Sequence, residues 1–256
     1  QVVAIYILAA WLTAAISVPF AWLCLRKNGS TLPPGRAIGT FVRDRRGQLA
    51  SMMGSSALFY LLIWSPVLTL GFASSPHQVA LYTTAARIAA FVSLIPAIQA
   101  AHLAPKFAES FHRGTVSELN RLSRASTRRA SLIALAPAGV LTTFPEYALR
   151  LFGSEFSSAA APLRLLATGV LITVALGQVN QLMLICDLER TALTLNLALL
   201  GIVSISSVVV GSFHGALGVA LVSATASVVY AVVAAIFLAG RSIHSGVIPL
   251  CCREEL

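Results

Sequence analysis

Arg26–Gln48 reads RKNGSTLPPGRAIGTFVRDRRGQ, and Lys106–Arg129 reads KFAESFHRGTVSELNRLSRASTRR. The first stretch carries six Lys/Arg against one acid and the second carries six against two. Together they hold 12 of the chain's 18 basic residues, and nearly everything between and after them is apolar. Basic segments flanking apolar runs are retained on the cytoplasmic side of a membrane. Two apolar runs of spanning length separate the stretches, as two segments on the same side require. The pattern predicts an all-α, polytopic transmembrane helix bundle with both basic stretches inside.

Composition supports the same solvent. The chain is 57% hydrophobic and only 11% charged, with a mean hydropathy of +0.83. A soluble domain has about 25% charged residues, so this chain cannot cover a water-facing surface. The net charge of +9 would suggest nucleic acid in a soluble protein. Here the basic residues flank apolar runs, where they set topology and meet lipid headgroups, so membrane lipids and no nucleic acid are the expected partners. The sequence opens at Gln1 within an apolar run, with neither Met nor a signal-peptide n-region. That start reads as a fragment whose upstream part is missing.

A helix crosses a bilayer with roughly 20 mostly apolar residues. Seven candidate spans meet this: residues 2–25, 50–72, 79–104, 130–144, 162–186, 191–211 and 216–239. The fourth is short and must borrow length from its basic N-terminal flank. The connections Phe72–Gln78, Pro145–Ala161 and Ser212–Gly215 fall outside, and Asp187–Arg190 and the tail from Arg241 fall inside. One topology satisfies all of them, with the N-terminus out and the C-terminus in. Ala37–Leu49 and Tyr147–Phe152 have helical apolar spacing and read as interfacial connectors. Cys24, Cys186, Cys251 and Cys252 lie at cytoplasmic ends or in the tail, where disulfides are not expected. No Cys/His spacing suits zinc, and no metal or cofactor is expected.

Polar residues inside spans are costly and so informative. Arg87 is the charged residue read as lying well inside a span, about 12 Å from the outer end of the third. A central arginine costs about 2.5–3.5 kcal/mol on the lenient insertion scale. A watery cavity or an anionic substrate would accommodate it, with Thr83 one turn away and Tyr82 near it. Gln99 follows on the same helix. Gln178, Asn180 and Gln181 crowd the fifth span and suggest a wet face, and Asn196 adds an amide in the sixth. Bridging between helices is the simpler role of any single amide. Pro19, Pro66, Pro96 and Pro137 fall within spans and predict kinks. No acid lies deep in a span, the outer loops hold no paired-acid motif, and no phosphate-binding Gly-rich loop is present. The only lysines are Lys27 and Lys106, so the last helix has no Schiff-base lysine for retinal.

These residues resemble a family. Leu81–Ala89 (LYTTAARIA), Pro96 and Ala104–Glu109 (APKFAE) look like the eighth-helix region of bacterial polysaccharide flippases. These are the Wzx-like O-antigen and exopolysaccharide exporters of the MOP superfamily. Gly114–Leu122 resembles the short loop that follows. Ala148–Phe156 (ALRLFGSEF) with Ala159–Leu166 is similar to the family's "lxlfGxxF…A…lrlLa" stretch. Gln181–Leu184, Arg190–Asn196 and Gly215–Ala220 match the pattern around its tenth to twelfth helices. The resemblance covers about residues 50–240 and implies the C-terminal lobe of a transporter of twelve or more helices, its N-terminal lobe missing. It implies a non-enzymatic function, the flipping of a polyprenyl-pyrophosphate-linked oligosaccharide across the bacterial inner membrane by alternating access. The substrate cavity would then include Arg87, Tyr82, Thr83, Gln99, Gln178, Asn180, Gln181 and Asn196. The alternatives are a multidrug or organic-cation exporter of the same superfamily and a membrane polymerase or ligase of polysaccharide assembly. The first would want buried acids, and the second a large catalytic outer loop.

Overall fold

Pro96 lacks the N–H that would close an α-helical turn, and its ring crowds the carbonyl four residues before it. The third apolar run therefore bends. In the computed structural model, which describes residues 43, 46–240 and 243, the helical pieces Pro76–Leu94 and Pro96–His112 meet at 45°. The helices are α1 (Arg46–Ala73), α2 (Pro76–His112), α3 (Val116–Thr143), α4 (Pro145–Arg150), α5 (Ala160–Leu176), α6 (Val179–Ile185) and α7 (Glu189–Ala239), with a 3-10 turn at Ser154–Ala159. No strand occurs among the described residues.

Three stretches are long and apolar enough to cross a membrane: Met53–Ala73, Glu155–Ile185 and Glu189–Ala239. The bent pair in α2 makes a fourth when counted as one span. The candidate spans 50–72 and 79–104 thus lie on α1 and α2, and 162–186 lies on α5 and α6. The first candidate, 2–25, lies outside the described residues.

α7 has 51 residues and would be about 77 Å long if straight, against a hydrocarbon core of about 30 Å. It is not straight. Gly215 breaks it at φ 56°, ψ −138°, and the chain turns back. A Cβ on Gly218 would lie 2.7 Å from Val210 Cγ1, whereas residues eight apart along a straight helix are about 12 Å apart. The two arms coincide with the candidate spans 191–211 and 216–239. The turn leaves orphan groups on both helix ends. Ser74 in the α1–α2 connection and Gln78 in the first turn of α2 satisfy one on each side: Ser74 Oγ donates to the Gly211 carbonyl at 2.8 Å, and Gln78 Oε1 accepts the Ala216 N–H at 2.9 Å.

α3 departs from the reading of Lys106–Arg129 as a loop. The actual connection is only a few residues around Gly114, which has φ 70°. The helix then runs from Val116 straight through the arginines into the fourth candidate span, 130–144. Leu119, Ser123, Ser126, Thr127, Ala130, Ala134, Ala138 and Leu141 recur at helical spacing and are buried, so one face packs along the whole length. The helical connector read at Tyr147–Phe152 is α4, which ends at Arg150, and the turn that follows it to Gly153, φ 131°.

Two apolar clusters lie on either side of the α2 bend. One joins Leu81, Ala85, Ile88, Ala89 and Val92 of α2 to Ala134 and Ala138 of α3 and to Leu163 and Ala167 of α5. The other joins Phe107 and Leu119 to Leu182 and Met183 of α6 and to Ala231, Ala234 and Ala235 of α7. Alanine is frequent in both, as expected where helices associate by close backbone approach rather than by escape from water. Many large apolar side chains also point outward: Tyr60, Trp64, Phe72, Leu132 and Phe213 are exposed. An outer surface of this kind suits lipid and not water.

Candidate functional site

Arg87 is exposed on α2. Phe91, Leu94 and Ile98 follow at positions +4, +7 and +11, on the same face, and are exposed as well. α2 begins at Pro76 and not at Val79, which places Arg87 about 16 Å along the helix. Two ion pairs occur among the described residues, Arg113–Glu109 at 2.7 Å and Arg150–Glu146 at 4.0 Å, and Arg87 is in neither. On α2 it stands between Thr83 and Thr84, one turn before it, and the exposed apolar residues that begin one turn after it.

The other candidates do not gather around it. Tyr82 is buried, its hydroxyl 2.9 Å from Ser223 Oγ on the second arm of α7. Thr83 turns back on its own helix and donates to the Val79 and Ala80 carbonyls. Asn196 is fully buried; its Nδ2 lies 3.3 Å from both the carbonyl and the Oγ of Ser55 on α1. Asn180 Oδ1 accepts the Tyr230 hydroxyl at 2.6 Å.

Two of the amides do meet at the α2 bend. The fifth candidate span is broken at Gly177, φ 93°, between α5 and α6. Gln178 sits in that break and its Nε2 donates to the Pro96 carbonyl at 3.0 Å. One turn on, Gln181 Nε2 lies 3.4 Å from the Ala100 carbonyl. Gln99 is on the adjoining turn of α2, and its Oε1 is buried with no partner, as is Gln178 Oε1. Two helix breaks are thereby tied side by side. Asn180 points elsewhere, since one residue advances a helix by about 100°. The expected wet face of the fifth span is thus divided between two sets of interhelical bonds.

Sequence reading missed the partners of these amides. Ser55, Ser223 and Tyr230 are hydroxyls within apolar runs, and nothing in the local pattern singles them out from their neighbours. Arg164 was missed too; it lies near the start of the fifth candidate span, where its Nε donates to the Thr142 carbonyl at 3.1 Å. That bond caps the C-terminal end of α3, a favourable place for a cation.

The Tyr230–Asn180 bond gives a direct test of interhelical tying. Interhelical hydrogen bonds in bilayers are worth about 0.6 kcal/mol on average and rarely above 1.7. Tyr230→Phe should lower stability by about 1 kcal/mol in unfolding of the detergent-solubilised protein. Combined with Asn180→Ala the losses should be less than additive, the signature of a shared contact. Full additivity would show that the two side chains do not interact.

No family model, curated protein or solved structure matches the chain.

Proposed function

We propose that the chain is the C-terminal lobe of a Wzx-like flippase of the bacterial inner membrane, with seven spans and a cytoplasmic C-terminus. The observation that carries this reading is Arg87, an exposed cation outside both ion pairs, on a bent apolar helix. Intramembrane cations mark anion pathways by default, because their cost is recovered only where an anion or water meets them. A sugar on a polyprenyl pyrophosphate supplies such an anion, and its isoprenoid tail suits the exposed Phe91, Leu94 and Ile98 below Arg87. The breaks at Pro96 and Gly177 add support, since transporters place interrupted helices around their substrate path. Half a cavity cannot alternate access, so the activity belongs to this lobe together with an N-terminal one.

The test is complementation. The full-length protein, produced in a bacterium lacking its own lipid-linked-oligosaccharide flippase, should restore surface polysaccharide. Arg87→Ala should cut export tenfold or more at matched membrane levels, an effect of about 1.4 kcal/mol. Arg87→Lys should be milder, because it keeps the charge. Equal export by wild type and Arg87→Ala would remove the cation from the mechanism. Drug efflux by a protein that restores no polymer would favour the exporter reading.

A further inference from the structure

α3 changes chemistry along its outer face. Arg121, Arg124, Arg128 and Arg129 are exposed on its first half, and Leu132, Leu135 and Val140 are exposed on its second. At about 100° per residue, Arg121, Arg124 and Arg128 line up with Leu132 and Leu135 on the side opposite the buried residues. Neither ion pair among the described residues involves these arginines. Glu118, in the first turn, is the only acid of the helix.

The apolar part is also short. From Ala130 to the end of the helix at Thr143 it covers about 21 Å, against a hydrocarbon core of about 30 Å. A span that falls short draws the headgroups inward or sends flanking side chains out to meet them. Arg128 and Arg129 stand at that boundary, and Arg124 and Arg121 lie one and two turns beyond it. A guanidinium offers paired N–H donors that fit a phosphate. In a zwitterionic lipid the headgroup's own ammonium offsets that phosphate; in an anionic lipid nothing does.

We propose that the exposed arginines of α3 form a binding site for the phosphate headgroups of an anionic phospholipid, placed where the apolar part of the helix runs short. This inference rests on the second half of α3 spanning the membrane, as the sequence pattern expects of residues 130–144, and not on the flippase reading.

The experiment is a lipid titration of the purified full chain in detergent, read by native mass spectrometry. Phosphatidylglycerol and phosphatidylcholine with identical acyl chains are compared. Each basic residue near an anionic surface contributes about fivefold in affinity. Phosphatidylglycerol should bind at least tenfold more tightly, and changing all four arginines to Gln should abolish the preference. Changing all four to Lys should keep part of it, which separates loss of the site from loss of fold. Arg113→Gln, in a residue already paired with Glu109, should leave it unchanged. Equal binding of the two lipids overturns the proposal, as does a preference that survives the Gln changes. Inorganic pyrophosphate that saturates the same arginines as tightly as the lipid would also overturn it, because the site would then serve a free anion.

Discussion

Gly215→Ala is expected to destabilise the protein by about 2–5 kcal/mol, from backbone strain of about 1–3 and a lost cap of about 1–2. Gly215 holds φ 56°, ψ −138°, where a Cβ is poorly tolerated. That Cβ would also lie 2.6 Å from Gln78 Oε1 and 2.9 Å from its Cδ. Gln78 is flexible, so the clash alone is inexpensive. Moving it, however, breaks the bond it accepts from the Ala216 N–H at 2.9 Å and leaves the second arm of α7 uncapped. The two contributions can be separated. Gln78→Ala removes the cap alone and should cost about 1–2 kcal/mol. In the Gln78→Ala background, Gly215→Ala should cost only the backbone strain. Denaturant unfolding of the four detergent-solubilised proteins gives the coupling. A Gly215→Ala penalty that is identical in both backgrounds would show that the two residues act independently.

How far the sequence discloses such features depends on whether the signal is local. The apolar runs are local, and α1, α2, α5 with α6, and the two arms of α7 fall where hydropathy places them. Pro96 announces its own bend because a missing N–H acts on its own helix. Gly215 was legible as a connection because polar residues stand beside it. Gly177 was not: it is a single glycine inside an apolar run, and the break becomes visible only with Gln178 reaching the Pro96 carbonyl 82 positions away.

The basic stretch Lys106–Arg129 shows a second kind of limit. Charge density suggested a loop, yet small and apolar residues keep helical spacing from Leu119 to Leu141. Periodicity was the better guide, because the helix needs only one buried face. Among the candidate site residues, residue type was legible and direction was not. Gln178, Gln181, Asn180 and Asn196 are polar inside apolar helices, as read. Their bonds run to Pro96, Ala100, Tyr230 and Ser55, partners that only the packed bundle supplies. Arg87 alone of that group remains outward and outside both ion pairs.

Gly169→Val is expected to cost about 3 kcal/mol, the upper part of the range for overpacking a tight contact. A Cβ on Gly169 would lie 2.8 Å from the Cβ and 3.1 Å from the Cα of Ala224. Here, unlike at Gly215, the obstacle includes backbone, which cannot rotate away. α5 and the second arm of α7 would have to move apart. Ser223 is the next residue to Ala224, so the shift would also pull its hydroxyl from Tyr82, 2.9 Å away, and loosen α2. Gly169→Ala should show the same defect at about 1–2 kcal/mol. Ala224→Gly should restore much of that loss in the double variant, because it returns the space of one methyl group where the helices cross. Thermal unfolding of the four detergent-solubilised proteins would read the rescue directly. A double variant no more stable than Gly169→Ala would mean that the cost arises within α5, and that the crossing does not depend on close approach at this pair.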